Sequence, residues 1–253
     1  MRFASLGSGS RGNALIAEAG GTRVLVDCGF GLREAVARLA RLGVAPETLD
    51  GILVTHEHDD HVGGVARLAA RYRIPVYLTH GTLQAVGDLG EAEVTVIDPH
   101  RRIAVNDLEV EPFPVPHDAR EPVQYVLGDG AKRLGVLTDI GEPTAHVVQV
   151  LKECDALVLE CNHDPDLLEA GPYPPSLKRR IAGRFGHLDN PASARLLSQL
   201  DGRRLRHVVA AHLSETNNRP DLARAALAGA LGCAPEWIGV ATQEDGFAWL
   251  GLG

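Results

Sequence analysis

Residues 52–61 read Ile52-Leu53-Val54-Thr55-His56-Glu57-His58-Asp59-Asp60-His61, an apolar run followed directly by residue types that bind metal ions. In an extended chain alternate side chains point the same way, so His56 and His58 can reach one ion together, while Asp60 and His61 face a second position. Imidazole and carboxylate ligands suit zinc, iron or manganese. A solvated histidine-rich turn is the alternative, but four ligand-type residues within six positions favour a dinuclear metal site at a strand end.

These residues match the His-x-His-x-Asp-His signature of the metallo-β-lactamase superfamily, and the chain resembles that family from end to end. The family's further motifs each lie just beyond an apolar run, where open α/β sheets present their chemistry. They are Asp27 after Val24-Leu25-Val26, His117 after the proline-rich segment 109–116, Asp139 after Val136-Leu137-Thr138, and His212 after Val208-Val209-Ala210-Ala211. The resemblance implies an α/β fold, the four-layer αββα sandwich. Strands that interleave with helices in both halves agree with it.

The resemblance also implies two divalent metal ions, zinc or manganese, with iron accepted by the same ligands. One ion takes His56, His58 and His117, the other takes Asp60, His61 and His212, and Asp139 bridges them. A hydroxide held between two such ions attacks the substrate, because the pKa of bound water falls to about 7. Asp60 and Asp139 are therefore predicted to be catalytic as well as metal-binding. His58 excludes the redox-active flavo-diiron relatives, which carry glutamate at this position.

A narrower resemblance lies in the residues around the ligands. These residues resemble those of the YycJ/WalJ group. The resemblance lies in the segments Ser8-Gly9-Ser10-Arg11-Gly12-Asn13, His117-Asp118-Ala119, Glu160 with Asn162-His163-Asp164, Gly186-His187-Leu188 and His212-Leu213-Ser214-Glu215. Members of that group are regarded as exonucleases that digest double-stranded DNA from a 5′ end. The resemblance therefore implies a metal-dependent phosphodiester hydrolase, a 5′-to-3′ exonuclease on DNA.

Within this interpretation His163 and His187 are candidates for contacting the scissile phosphate or protonating its leaving oxygen. The alternative is that both histidines only orient loops or metal ligands. Further candidates for substrate contacts are the polar residues Ser8, Ser10, Asn13 and Asn162 and the arginines Arg179, Arg180 and Arg184. Arginine suits phosphate, although solvated helix faces explain the same arginines equally well. The glycine-rich loop at 7–12 is either an anion cradle or a plain hairpin loop.

Composition limits the class of protein. The 253 residues are 45% apolar and 23% charged, as in an ordinary globular protein, and no run is apolar enough to form a membrane helix.

Because ligands from residue 56 to residue 212 must converge, we expect residues 1–253 to form one domain without an inserted substrate domain. The first residues do not resemble a secretory signal, which favours a cytoplasmic protein. The four scattered cysteines are expected to be reduced.

The net charge of −8 argues against a broad basic face for nucleic acid. An acidic DNA exonuclease is expected to hold long DNA weakly, with low processivity or recruitment by a repair protein. A small-molecule hydrolase on the same metal site, such as a cyclic phosphodiesterase, lactonase or thioesterase, is the alternative function. A non-catalytic metal-stabilised binding module is a third class, which the complete ligand set disfavours. No feature of the sequence predicts the oligomeric state.

Apolar spacing also predicts local elements. Leucine, alanine and valine at helical intervals predict a helix from Gly31 to Gly43, and a second helix is expected from about Val62 to Tyr72. The dense prolines between Val94 and Leu127 exclude a central strand for part of that region and indicate an edge or a loop leading into the site. His80, at the end of a predicted strand, is a weaker candidate for a substrate contact.

Overall fold

The structure, a computed structural model, describes all residues from 1 to 253, and its strands form two seven-stranded sheets. The first sheet contains β1 (Arg2–Gly7), β2 (Ala14–Ala19), β3 (Thr22–Val26), β4 (Gly51–Leu53), β5 (Val76–Thr79), β6 (Val94–Ile97) and β14 (Phe247–Gly251). The second contains β7 (Ile103–Val105), β8 (Leu108–Pro114), β9 (Val123–Gly128), β10 (Arg133–Leu137), β11 (Ala156–Glu160), β12 (His207–Ala211) and β13 (Gly239–Val240).

Nine α-helices lie between and outside these strands. They are α1 (Leu32–Arg41), α2 (Asp59–Val62), α3 (Val65–Tyr72), α4 (His80–Val86), α5 (Ala145–Leu151), α6 (Pro165–Ala170), α7 (Pro175–Ile181), α8 (Asn190–Leu197) and α9 (Pro220–Leu231). Two short 3-10 helices cover Pro46–Thr48 and Pro235–Trp237. None of the helices combines the length and the apolar character needed to cross a lipid bilayer.

The two sheets share one plan. The first has the order β14-β1-β2-β3-β4-β5-β6 and the second β13-β12-β11-β10-β9-β8-β7. In each sheet one half is antiparallel and the other half parallel, with β3 to β6 and β10 to β13 forming the parallel halves. Because parallel strands end at the same edge, the residues that follow β3, β4, β10 and β12 are brought together.

Three apolar clusters occupy the spaces between four layers. One contains side chains from both sheets, such as Val24 and Val158, and lies between them. The second packs the other face of the second sheet against α5, α8 and α9, and the third packs the first sheet against α1 and α3. Strands β11 and β12 alternate between the first two clusters, so both faces are buried and the sequence reads as a continuous apolar run. The predicted αββα sandwich is confirmed.

The predicted second helix is wrong in its limits. The chain forms the short helix α2 over Asp59–Val62, and α3 begins only at Val65. The intervening Gly64 passes so close to Phe30 that a Cβ atom would lie 1.9 Å from the Phe30 carbonyl oxygen. This close approach, which a glycine alone permits, separates the metal-ligand loop from the helix that follows it.

The proline-rich segment has the edge character that was predicted. Strand β8 pairs with β9 along its whole length but with β7 only as far as Val110. Pro112 and Pro114 therefore lie where the strand has no neighbour on that side, and the missing N–H groups remove no ladder hydrogen bond there.

A buried hydroxyl joins the two sheets next to the ligand loop. The Tyr125 hydroxyl on β9 donates to the carbonyl oxygen of Val54, at 2.7 Å. Tyr125→Phe leaves that carbonyl buried without this partner, so we expect the free energy of unfolding to fall by about 1–3 kcal/mol. Urea denaturation measures this change, with Tyr72→Phe at the partly exposed end of α3 as the control. Equal stability of the two variants would contradict the assigned role.

Candidate metal centre

The first group of converging side chains contains His56, His58 and His117. His56 Nε2 lies 3.0 Å from His58 Nδ1, and His117 Nε2 lies 3.3 Å from the same atom. His56 and His58 follow β4 in an extended segment, as the alternation of side chains predicts, while His117 comes from the loop after β8 in the opposite sheet. The two sheets thus supply this group together.

The second group contains Asp60, His61 and His212. Asp60 Oδ2 lies 3.5 Å from His61 Nε2 and 3.4 Å from His212 Nε2. Asp60 and His61 belong to helix α2, and His212 follows β12. The His61 ring also packs against that of His56, with ring centroids 4.3 Å apart, so the two groups are adjacent.

Asp139 is buried two residues beyond the end of β10 and lies between the two groups. Its Oδ2 atom is 3.0 Å from His61 Nε2, and its Oδ1 atom is 3.9 Å from His117 Nε2. Despite this short approach, the buried Oδ2 atom makes no hydrogen bond of acceptable geometry within the protein. A buried carboxylate oxygen without a donor is costly unless a cation occupies its lone pair.

The donor set fits a divalent ion. Two ligands at about 2.0–2.1 Å from a tetrahedral ion are about 3.3 Å apart, which agrees with the nitrogen separations in the first group. Nitrogens this close repel one another in water-free surroundings unless a proton or a metal lies between them. The geometry and the orphaned Asp139 oxygen together indicate divalent metal binding at this edge of the two sheets.

A further layer of contacts orients the imidazoles. Asp27 Oδ2 accepts from His61 Nδ1 at 2.8 Å, and the Gly186 carbonyl oxygen accepts from His117 Nδ1 at 3.0 Å. The Thr55 hydroxyl lies 2.9 Å from His56 Nδ1. Each contact engages Nδ1 and leaves Nε2 to face the centre, which is how metal-binding histidines are usually positioned.

Three residues at this edge have an unusual backbone. Asp27, Asp139 and His212 have φ values of 61°, 53° and 54°, in the left-handed region that residues other than glycine seldom adopt. Each one lies within two residues of the end of a strand. Such conformations cost about 1–3 kcal/mol each and cluster at functional sites. The sheets and the hydrogen bonds around the carboxylates offset this strain.

The carboxylates and histidines change one another's pKa values. Burial disfavours the charged form of His212, but Asp139, Asp60 and Glu160 together raise the pKa of His212 to about 10. The pKa of His61 is also raised well above its usual value, because Asp139, Asp27 and Asp60 outweigh burial. Burial and the positive charge on His61 hold the pKa of His56 well below its usual value. Without metal, His61 and His212 are therefore protonated and His56 is neutral.

Metal binding is expected to release protons. Imidazole coordinates only when neutral, so an ion must displace the protons of His61 and His212, whose pKa values are raised. The metal-free form is favoured at low pH, and affinity should rise with pH through the neutral range. Calorimetric titration with zinc in two buffers of different ionisation enthalpy should show release of about one proton or more. His212→Gln should release fewer, and identical heats in both buffers would contradict the prediction.

His187 and Glu160 form an arrangement next to this centre. Glu160 is fully buried, and its Oε1 atom accepts from His187 Nδ1 at 2.8 Å and from His212 Nδ1 at 3.1 Å. Its Oε2 atom accepts the backbone N–H groups of Ile140 and Leu188, at 3.0 and 3.1 Å. Burial opposes the charge on His187, but Glu160 and Asp139 raise the pKa of His187. One carboxylate therefore positions two histidines.

The structure separates the two predicted catalytic histidines. His187 lines a cavity of about 250 Å³ together with Ser10, Asp118, Tyr173 and Arg180. His163 is 2% exposed and belongs to none of the converging groups. It lines a different cavity on the other side of α7, with Lys178 and Arg179. Burial lowers the pKa of His163.

Most of the predicted polar contacts face inwards. Ser8 Oγ accepts from the backbone N–H of His212 at 2.9 Å, and Asn13 Nδ2 lies 3.1 Å from His61 Nε2. Asn162 Nδ2 donates to the carbonyl oxygen of His212 at 3.1 Å. These three residues support the second group. Ser10 is exposed in the cavity beside His187.

The three predicted arginines are exposed on helix α7 and just after it. Arg180 Nε is 2.5 Å from Asp118 Oδ2, and Arg184 Nη2 is 2.8 Å from Glu142 Oε1. Both guanidinium groups are largely exposed, so these ion pairs are weak and can exchange for another anion. Arg179 is exposed on the opposite side of α7. His80 begins helix α4, where it is exposed and lies 2.9 Å from Gln84.

Glu160 has a role that sequence analysis missed. The signal was present in the sequence. Glu160 is the last residue of the buried run Ala156–Glu160, and Asp27 and Asp139 likewise follow apolar strands. A charged residue at the end of a fully apolar parallel strand is expected to face the same edge. The identity of its two histidine partners depends on loops that approach from other parts of the chain.

The fold and the site together define a metal-dependent hydrolase with the metallo-β-lactamase fold. The chain belongs to the beta-lactamase superfamily, whose domain model matches residues 22–212.

Its relatives include the exodeoxyribonuclease YycJ of Bacillus anthracis, 36% identical over 88% of this chain and 86% of the relative. The exodeoxyribonuclease WalJ of Streptococcus pneumoniae is 32% identical over 95% of this chain and 91% of the relative. The crystal structure of the metallo-beta-lactamase fold protein YhfI from Bacillus subtilis superposes with a TM-score of 0.77 at 15% identity, covering 98% of both chains. The similarity to the YycJ/WalJ group covers most of the chain.

Proposed function

We propose that the protein is a dinuclear metal-dependent exodeoxyribonuclease that digests double-stranded DNA from a 5′ end. The observation that carries the proposal is Asp139, whose carboxylate lies between the two groups of three ligands: Oδ2 is 3.0 Å from His61 Nε2, and Oδ1 is 3.4 Å from His212 Nδ1 and 3.9 Å from His117 Nε2. A bridging carboxylate between two such groups suits a pair of ions about 3.5–4 Å apart. The names of the relatives at 36% and 32% identity support a DNA substrate.

The ions would be zinc or manganese, with iron also compatible with histidine and carboxylate ligands. In the proposed arrangement His56, His58 and His117 hold one ion and Asp60, His61 and His212 the other. Bound there, the ions would supply an activated water and a clamp for the phosphate oxygens. The protein's own part is to keep Nε2 of each oriented imidazole directed at the centre.

His187 is the proposed proton donor to the leaving oxygen. Its Nδ1 atom is engaged by Glu160, so Nε2 is the nitrogen available to a substrate in the cavity that His187 lines. The raised pKa of His187 favours the protonated form, which can donate this proton. Burial lowers the pKa of His163, in contrast to His187, and His163 lines a different cavity. It is proposed to contact a more distant part of the substrate, with Arg179.

The rim of this cavity is proposed to hold the flanking phosphates. Arg180 and Ser10 line the cavity beside His187, and Arg184 is exposed three residues before His187 in the sequence. A guanidinium group can exchange its surface carboxylate for a phosphate and form two parallel hydrogen bonds with it. The contact area is small, and the chain carries a net charge of −8.

We infer from this charge that the enzyme has low processivity or is recruited to DNA by a repair protein. Few phosphate contacts release few counterions, so the affinity for DNA should depend only weakly on salt. A steep slope of affinity against salt concentration would contradict this part of the proposal.

Digestion of double-stranded DNA labelled at one 5′ end tests the proposed activity. The wild-type protein should release the label with manganese or zinc, and Asp60→Ala should lose this activity. A matched duplex labelled at the 3′ ends gives the direction. No release by wild-type protein with the metals confirmed bound would overturn the proposal.

That result would favour the alternative, a small-molecule hydrolase. The acidic surface and the modest volume of the cavity beside His187, about 250 Å³, are the observations in its favour. Hydrolysis of a cyclic phosphodiester, a lactone or a thioester by the same metal-loaded protein would then identify the substrate class.

A further inference from the structure

Phe185 is an exposed aromatic residue at the rim of the candidate metal centre. Its exposed fraction is 50%, and only Val96 and Trp237 among the large apolar residues are comparably exposed. A single exposed apolar side chain is ordinary in itself. The position of Phe185 is not ordinary, because the next two residues, Gly186 and His187, contact the candidate centre through His117 and Glu160.

The backbone of Phe185 is held firmly on two sides. Its carbonyl oxygen accepts from the N–H of Asp118 at 3.0 Å. On the other side Gly141 packs so closely that a Cβ atom there would lie 2.6 Å from the Phe185 nitrogen. The ring therefore projects into solvent from an anchored segment, and ordering it costs little conformational entropy when a ligand binds.

The charges around the ring suit a nucleotide. The Arg184 guanidinium carbon lies 5.0 Å from the centre of the Phe185 ring, and Arg184 is largely exposed. An aromatic face can stack on a nucleobase while a neighbouring guanidinium group binds the phosphate. Every base has a π-face, so such a contact discriminates little between sequences.

We propose that Phe185 is the stacking platform for a nucleobase at the DNA end, positioning its phosphate at the metal centre. This inference rests on the proposed nuclease function and adds a residue that selects nucleotides over other phosphodiesters. Phe185 is a substrate-contacting residue in this proposal, and it takes no part in the bond cleavage.

Removing the ring and removing the base should have the same, non-additive effect. Stacking on an aromatic residue is worth about 1–3 kcal/mol per base, so Phe185→Ala should lower kcat/KM on an intact duplex about 5- to 150-fold. An abasic nucleotide at the first or second position from the 5′ end should slow the wild-type enzyme similarly. On the abasic duplex that lacks the stacked base, Phe185→Ala should then lower kcat/KM by less than about a further twofold.

Two variants and one measurement isolate the stacking contact. Phe185→Trp should retain most of the activity on intact DNA because it keeps an aromatic face. Trp237→Ala, which removes an exposed aromatic residue from a different surface, should leave the rate unchanged. Phe185→Ala should bind as much metal as the wild-type protein, which separates stacking from damage to the neighbouring ligands.

Equal losses on intact and on both abasic duplexes would overturn the stacking role while leaving the nuclease function intact. The same conclusion would follow if Phe185→Ala digested intact DNA at the wild-type rate. If the wild-type protein digested no DNA, the proposed function itself would fail, and the role of Phe185 with it.

Discussion

Asp60→Ala and His212→Ala are each expected to lose bound metal and hydrolytic activity together. Asp60 Oδ2 and His212 Nε2 lie 3.4 Å apart in the second group, and each belongs to the three side chains that converge there. In the proposed centre, removing either leaves two of these side chains and the bridging Asp139 to hold that ion, one ligand fewer than the intact site, so its affinity should fall steeply. The loss of activity should exceed the roughly 10- to 100-fold typical of residues that only orient ligands.

Metal content by elemental analysis and the rate on bis-p-nitrophenyl phosphate measure these two effects. His80→Ala serves as the control, since His80 is exposed at the start of α4 and belongs to none of the converging groups. Circular dichroism confirms that the variants are folded. Unchanged rates in both ligand variants would contradict the dinuclear centre. A loss of one ion per chain in each variant would support it directly.

Glu160→Gln is expected to have the second largest effect. Glu160 accepts four hydrogen bonds, two from imidazoles and two from backbone N–H groups. Glutamine replaces one acceptor oxygen by an amide group that donates, so one pair of donors must face another pair of donors. We expect metal affinity and kcat/KM to fall about 10- to 100-fold.

The same substitution should also destabilise the fold. A buried donor left without an acceptor costs about 1–3 kcal/mol, and Ile140 and Leu188 supply the N–H groups at risk. Urea denaturation of the metal-free protein measures this cost separately from metal affinity. Glu169→Gln, in helix α6 outside the converging groups, is the matched control. Activity and metal affinity within twofold of the wild type would show that Glu160 does not position the histidines.

The ligand loop shows how much of the site could be predicted locally. Alternation in an extended segment placed His56 and His58 on one side, and their nitrogens lie 3.0 Å apart in the structure. His117, Asp139 and His212 were predicted from the family's motifs, and all three lie at the same edge of the sheets. These residues follow apolar strands, whose ends are readable because burial on both faces requires a continuous apolar run.

The hydrogen-bond partners around these residues could not be predicted from local sequence patterns. Ser8 and Asn13 were candidates for substrate contacts, yet they contact His212 and His61 inside the protein. His163 and His187 were treated alike, and helix α7 separates their cavities. Such outcomes depend on which loops meet across the two sheets, and no local pattern specifies that.

From the amino-acid sequence, apolar runs predicted the strand ends, and the resemblance to the metallo-β-lactamase superfamily implied the sandwich and the set of ligands, because apolar periodicity and motif spacing are local properties of the chain. Only the tertiary structure decided that Glu160 joins His187 to His212 and that Phe185 projects from an anchored rim. The physical reason is that hydrogen-bond partners and side-chain exposure are set by the packing of segments distant in sequence.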